Sequence, residues 1–392
     1  MITNRIINSK LDTDLYKISQ MAAVLQKFPN LEVEYAFIDR NNTAYPAGFA
    51  EELRNQVEYM EELELSKEEE SFLRSISYIP AAAVDFLKGF HFDSKCLDIE
   101  QDEEGYLSIR IKGYWHSIIL WEVPLLAIIS ELYYKISSIT SPFSKKDICT
   151  SNIIKFNKLY KSKVNFSEFG TRRRFSFENQ ETLLRNNSVI NYSNFVGTSN
   201  VLLALKYGLK PIGTMAHEWI MAHGALYGYR MANKMALDNW ADVYGGNLGI
   251  ALSDTYTIDS FLRSFDTRLA KLFDGVRQDS GDPYLFADKI IAHYKNLGID
   301  PMSKTIIFSD ALDVDKAISI RNYCEEKIKC SFGIGTHLTN DLGVKPMNIV
   351  IKLSSVMVNK EPVPAIKLSD DKGKNTGDKL EIELCKGILR IL

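Results

Sequence analysis

The chain has 392 residues, 45% hydrophobic and 25% charged, with a net charge of 47 − 50 = −3. That is globular composition with enough apolar mass for a sizeable core, and length alone predicts roughly two to three domains. The near-neutral balance excludes a general affinity for nucleic acid or an anionic membrane surface, so any phosphate site must be local. Five scattered cysteines (Cys96, Cys149, Cys324, Cys330 and Cys385) form no Cys-x-x-Cys pair. They argue against a disulfide framework or zinc site and for a reducing compartment. The N-terminus lacks the apolar core of a signal peptide. The most apolar stretch, 118–130, is broken by Glu122 and Pro124 and reads as too short for a bilayer. The expectation is a soluble, cytoplasmic protein with no membrane partner.

In chain order, residues 15–28 read as an amphipathic helix and Val33–Ile38 alternates like a strand. Residues 51–65 read as a charged helix, Ser66-Lys67-Glu68-Glu69 fits a capping box opening the next one, and Leu107–Lys112 alternates again. Residues 1–125 are thus expected to form an N-terminal α/β domain. Farther on, short apolar runs appear at 211–213, 248–252, 275–277, 305–308, 331–334 and 348–351. Helical patterns at 218–236, 257–273, 284–297 and 313–328 fill most of the gaps. Strand, helix, strand at this spacing means parallel βαβ units, and six runs in series favour a barrel over an open sheet. A barrel domain over 126–345 is expected, with 346–392 packing back on the N-terminal domain. The Lys/Asp/Gly-rich stretch 370–378 reads as a mobile loop.

Polar residues gather where these runs end: Thr214 to His217, Ser253-Asp254, Arg277-Gln-Asp279-Ser-Gly-Asp282, Ser309-Asp310 and Gly333-Ile-Gly335-Thr336. In a parallel barrel such loops share the face where chemistry is done. Arg172, Arg173, Arg174 and Arg277 supply cations. Gly170-Thr171, Gly213-Thr214 and Gly335-Thr336 offer loops whose N–H groups approach phosphate closely. Asp254, Asp279, Asp282 and Asp310 suit Mg²⁺ or ribose hydroxyls. Taken singly, each has a plainer reading. The arginines would be a surface run, Asp279 to Pro283 a turn and helix cap, and His217 a core histidine. His223 and His293 lie on helical patterns and read as structural. The coincidence of the elements at strand ends is what points to phosphate chemistry. A barrel glycosidase with paired aspartates is the competing reading, but it leaves the arginines and Gly-Thr loops without a task.

At these residues the chain resembles nicotinate phosphoribosyltransferase of the bacterial and fungal type. The similarity runs through Leu11-Asp-Thr-Asp-Leu-Tyr-Lys17, Leu120-Trp-Glu-Val-Pro-Leu-Leu126, Phe169-Gly-Thr-Arg-Arg-Arg-Phe-Ser176, Phe195-Val-Gly-Thr-Ser-Asn200, Gly213-Thr-Met-Ala-His-Glu-Trp219, Asp279-Ser-Gly-Asp-Pro283, Phe332-Gly-Ile-Gly-Thr336 and Lys345 to Leu353. The resemblance implies an α/β fold, an irregular α/β barrel with a second, smaller sandwich-like α/β domain. It also implies transfer of phosphoribosyl from phosphoribosyl pyrophosphate to nicotinate, which serves NAD synthesis. The transfer would need Mg²⁺ and be coupled to ATP through a phosphohistidine, in a homodimer with shared sites. A sibling activity on nicotinamide or quinolinate is the nearest alternative.

The same resemblance implies roles. His217 would be the phosphorylated histidine. Tyr16, entering from a second subunit, and Phe169 would sandwich the pyridine ring. Arg172, Thr214 and Arg277 would meet nicotinate. Asp254 and Asp279 would lie near the ribose, and Ser309, Asp310, Gly335 and Thr336 would hold the 5-phosphate. Relatives that use nicotinamide carry Asp where this chain has Ser199. A carboxylate there would repel that of nicotinate in a dry pocket, so Ser199 is expected to favour the acid.

Overall fold

The structure is a computed structural model that describes residues 4–190, 192–371 and 375–391. It contains two sheets. The first is antiparallel, built from β1 (Glu32–Asp39), β2 (Leu97–Gln101), β3 (Leu107–Tyr114) and, later in the chain, β10 (Ile349–Val358) and β11 (Glu361–Pro364). The second is parallel, built from β4 (Phe166–Glu168), β5 (Phe195–Thr198), β6 (Ile250–Leu252), β7 (Gly275–Gln278), β8 (Thr305–Phe308) and β9 (Lys329–Ile334). Their orders are β11-β10-β1-β3-β2 and β5-β4-β9-β8-β7-β6.

The runs at 248–252, 275–277, 305–308 and 331–334 join the parallel sheet as their spacing predicts. The run at 211–213 contributes one parallel bridge, Pro211 to Thr198. The run at 348–351 leaves that sheet and pairs antiparallel with β1, from Asp39 opposite Ile349 to Val33 opposite Val356. The reason is the sheet's own demand. β1 carries β3 on one side, and without β10 its other edge would be unpaired. Two parallel strands, β4 and β5, escape sequence reading because they are too short to show a period and lie ahead of the regular strand-helix series that reveals the equally short β6, β7 and β8.

Local chemistry sets the helix ends. Ser66 and Glu69 make the reciprocal bonds of a capping box. Asp282 caps Pro283–Asn296 through bonds to the amides of Tyr284 and Leu285, with Pro283 in the first turn. The pattern read as one helix over 218–236 is two, His217–Tyr227 and Tyr229–Tyr244, parted by Gly228 at φ 79°. The apolar stretch read as broken is one helical run from Trp115 to Ile136, in which a 3₁₀ turn at Ile119–Trp121 precedes the helix Glu122–Ile136, so Pro124 falls in the first turn of that helix and is tolerated there. At 22 residues it is long and apolar enough to cross a membrane, yet 89% of its most apolar window is buried in the fold. The expected mobile loop falls partly on 372–374, outside the described residues.

Candidate active site

The parallel strands deliver their C-terminal ends to one cavity of about 1080 Å³. β4 leads to Phe169 and Arg172, β7 to Arg277 and Asp279, β8 to Ser309 and Asp310, and β9 to Gly335 and Thr336. His217, opening its helix, and Tyr16, near the start of helix Leu15–Lys27, complete that side. The opposite wall comes from the antiparallel sheet and includes Arg40, Asn348 and Lys352.

His217 is held on both ring nitrogens. Nδ1 meets Thr255 Oγ1 at 3.0 Å, while Nε2 lies 3.1 Å from Asp279 Oδ2 and 3.0 Å from Lys367 Nζ. Burial, then the Lys367 ammonium, push the imidazole pKa down to about 4, although Asp254 and Asp279 pull the other way. The ring is therefore neutral and keeps a lone pair at physiological pH. Asp279 joins it to the next group. Its Oδ1 accepts from Arg277 Nη2 at 3.0 Å and from Ser309 Oγ at 2.7 Å, and Arg277 Nε donates to Ser309 Oγ at 2.8 Å. Burial opposes the charge on Asp279, but Arg277, His217 and Lys367 together hold its carboxyl well below the usual range.

Part of the cavity wall gathers cations: Arg40, Arg172, Arg173, Lys352 and Lys367. Burial and the neighbouring Arg172 and Arg40 lower Arg173 to about 10, and burial and Lys367 lower Lys352 to about 8. Cations that depress one another have charge to share with a polyanion. Among the described residues no group of three or more His, Cys, Asp or Glu is placed to hold a metal ion. The donors present suit Mg²⁺ that arrives on phosphate oxygens and needs only one or two carboxylates.

Of the residues singled out in the sequence, Tyr16, Phe169, Arg172, His217, Arg277, Asp279, Ser309, Asp310, Gly335 and Thr336 line the cavity together, and Ser199, Thr214 and Asp254 do not. Ser199 is buried and donates to Asp14 Oδ1 at 2.7 Å, so its hydroxyl is spent inside the fold. The Thr214 carbonyl accepts from Ser19 Oγ at 2.8 Å. Asp254 is fully buried behind His217, accepting from Ser280 Oγ at 2.5 Å and from Lys367 Nζ at 3.4 Å. Arg174, counted with the phosphate cations, instead makes a buried two-point pair with Asp12 at 2.7 Å. Of the Gly-Thr loops, Gly170 gives its N–H to Glu168, and Gly213 packs so near helix Leu15–Lys27 that a Cβ would lie 2.8 Å from Tyr16 N. Asp279 to Pro283 proves to be both readings at once, with Asp279 in the site and Asp282 a cap. Tyr16 lines the cavity of its own chain. His223 and His293 lie on helices as their patterns predict, bonded to the carbonyls of Trp219 and Phe265.

Sequence reading missed Lys367, Thr255, Lys17 and Arg40. Glu122 left a trace: an acid inside the apolar stretch 118–130 signals a buried ion pair, and it meets Lys17 and Arg172.

Comparison with known proteins agrees with this geometry. The profile of the nicotinate phosphoribosyltransferase (NAPRTase) family matches residues 164–390, and that of the NAPRTase N-terminal domain matches 11–130. Nicotinate phosphoribosyltransferase of Desulforapulum autotrophicum is 49% identical over 98% of this chain and 99% of its own. That of Chromohalobacter salexigens is 47% identical over 98% and 99%. The crystal structure of the Porphyromonas gingivalis enzyme superposes with a TM-score of 0.96 at 43% identity, covering 98% of this chain and all of its own. A putative nicotinate phosphoribosyltransferase of Saccharomyces cerevisiae gives 0.93 at 36%, covering both chains in full. With near-complete coverage and the strand-end cavity in place, this chain belongs to the nicotinate phosphoribosyltransferase family.

Proposed function

We propose that the cavity joins nicotinate to phosphoribosyl pyrophosphate, giving nicotinate mononucleotide and pyrophosphate for NAD synthesis, and that ATP drives the reaction through His217. The observation that carries this reading is the chain of contacts from His217 through Asp279 to Arg277 and Ser309, in one cavity with Phe169 and Tyr16.

Phe169 and Tyr16 stack on the flat pyridine, and Arg172 and Arg277 attract its carboxylate. Ser309, Asp310, Gly335 and Thr336 take the 5-phosphate, each at a strand end or the first turn beyond it. The pyridine nitrogen then bonds to the anomeric carbon as the bond from that carbon to the pyrophosphate oxygen breaks. Positive charge builds on the sugar and negative charge on the departing pyrophosphate. The cationic wall receives the latter. Mg²⁺ carried on the phosphates, with Asp310 as a candidate ligand, would add neutralising charge there.

In the coupled step a ring nitrogen of His217 takes the γ-phosphoryl of ATP and ADP leaves. Water later cleaves the N–P bond. A neutral, buried imidazole held by Thr255 and Asp279 is suited to this, because its lone pair is available and its orientation is fixed. Asp279 is saturated by Arg277, Ser309 and His217, which leaves little scope for the paired-acid chemistry of a glycosidase. All five cysteines are free thiols, which supports a cytoplasmic setting.

The test incubates the protein with phosphoribosyl pyrophosphate and, separately, nicotinate, nicotinamide and quinolinate. Mononucleotide is expected from nicotinate alone. Label from γ-labelled ATP should be acid-labile, base-stable and absent from His217→Ala. Label surviving in that variant would remove His217 from the role.

A further inference from the structure

A buried ion triad lies under the two halves of the site. Lys17 has no exposed side-chain surface. Its ammonium pairs with Glu122 and, at 2.5 Å, with Glu218 Oε1. Glu218 also accepts from Gln20 Nε2 at 3.1 Å and from Tyr35 OH at 2.5 Å, and Trp115 Nε1 fixes that hydroxyl at 2.9 Å. Glu122 turns its other oxygen to Arg172 Nη1 at 3.4 Å. Lys17 follows Tyr16, and its ammonium lies 5.3 Å from the Tyr16 ring centre. Glu218 follows His217.

Neighbouring side chains of the same helix grip the same turn. Ser19 bonds the Thr214 carbonyl, and Gln20 accepts from the Ala216 amide. Both carboxylates are buried and share this cation, and taking it away leaves Glu218 without a cationic partner and Glu122 with Arg172 alone in a dry place. An apolar residue would fill the space at less desolvation cost. The distinct property of the triad is geometric: it links Arg172 and Tyr16 on one side to the His217 turn on the other.

We propose that Lys17 is a positioning residue for the pyridine subsite, holding Arg172 in place through Glu122 and locking the Tyr16 helix to the turn that carries His217. The proposal rests on nicotinate binding between Tyr16, Phe169 and Arg172. Lys17→Met alone strands Glu218 and leaves Glu122 with Arg172 only. Lys17→Met/Glu218→Gln keeps the triad's net charge, and Glu122→Gln cuts the tie to Arg172 directly.

Steady-state kinetics of these variants, with nicotinate and phosphoribosyl pyrophosphate varied in turn, give the answer. Both the double variant and Glu122→Gln should raise the nicotinate KM about tenfold, the worth of one charge-assisted contact, with the phosphoribosyl pyrophosphate KM little changed. Glu122→Asp should recover part of the loss. A fall in melting temperature with both KM values unmoved, or moving in parallel, would make the triad a structural ion cluster and overturn the proposal. Arg172→Gln is the control on the premise. If it leaves the nicotinate KM unchanged, the ring assignment fails, and that result is distinct from a failure of Lys17.

Discussion

The pKa of His217 offers the most direct test of the site. Its folded value of about 4 lies below an ordinary 6.5. That gap of about 2.5 units corresponds to about 3 kcal/mol against the charged ring. Because the folded value is depressed, the unfolded chain binds the proton more readily. No stability is lost above 6.5, and the penalty grows as pH falls from 6.5 toward 4. Chemistry should show the same gap. At pH 5.5 a ring with pKa 4 is about 97% neutral, whereas an ordinary imidazole is about 9% neutral. Single-turnover labelling by γ-labelled ATP should therefore stay nearly level from pH 8 to 5.5. The ring can also be followed by its NMR resonance, assigned by its loss in His217→Gln. Lys367→Met should raise the value part of the way back, since burial is the larger cause and remains. Labelling that drops tenfold per pH unit below 6.5, or a resonance that titrates there, would refute the claim that the fold holds this imidazole neutral.

Three further outcomes are expected. Ser199→Asp sets a second carboxylate against Asp14, which Ser199 Oγ now meets at 2.7 Å. The repulsion at ~3 Å is about 5 kcal/mol in an effective dielectric of ~20, before proton uptake relieves it. The variant should lose stability first, seen as a lower urea midpoint, and adding Asp14→Asn should restore it; a midpoint unchanged in Ser199→Asp would contradict the packing. Gly333→Ala puts a methyl into the Phe169 ring, so kcat/KM for nicotinate should fall about ten- to a hundredfold at nearly constant melting temperature. Normal kinetics would show that the ring can give way. If the chain forms the homodimer with shared sites that the resemblance implies, mixing Tyr16→Ala with His217→Ala should recover part of the activity. No recovery would mean that Tyr16 serves the cavity it lines in its own chain.

Much of the architecture was legible because it is periodic. Runs at 248–252, 275–277, 305–308 and 331–334, with helices between, state a parallel sheet before any contact is known. Residues just past such strands meet at one end of the sheet by geometry alone, which is why His217, Arg277, Asp279, Ser309, Asp310 and Thr336 could be gathered in advance. The capping box at Ser66 and the cap at Asp282 are equally local.

What the sequence determined by itself was thus the βαβ rhythm, the helix stops and the set of loops that share a face, since each depends on neighbours a few residues away. Only the tertiary structure decided which polar groups open into the cavity and which are consumed inside. Arg172 faces the site while Arg174, two residues on, is buried against Asp12. Lys17 meets Glu218 across 201 residues, and Lys367 meets His217 across 150. Such pairings follow from how distant helices and loops pack together, and a local period carries no information about a partner that far along the chain.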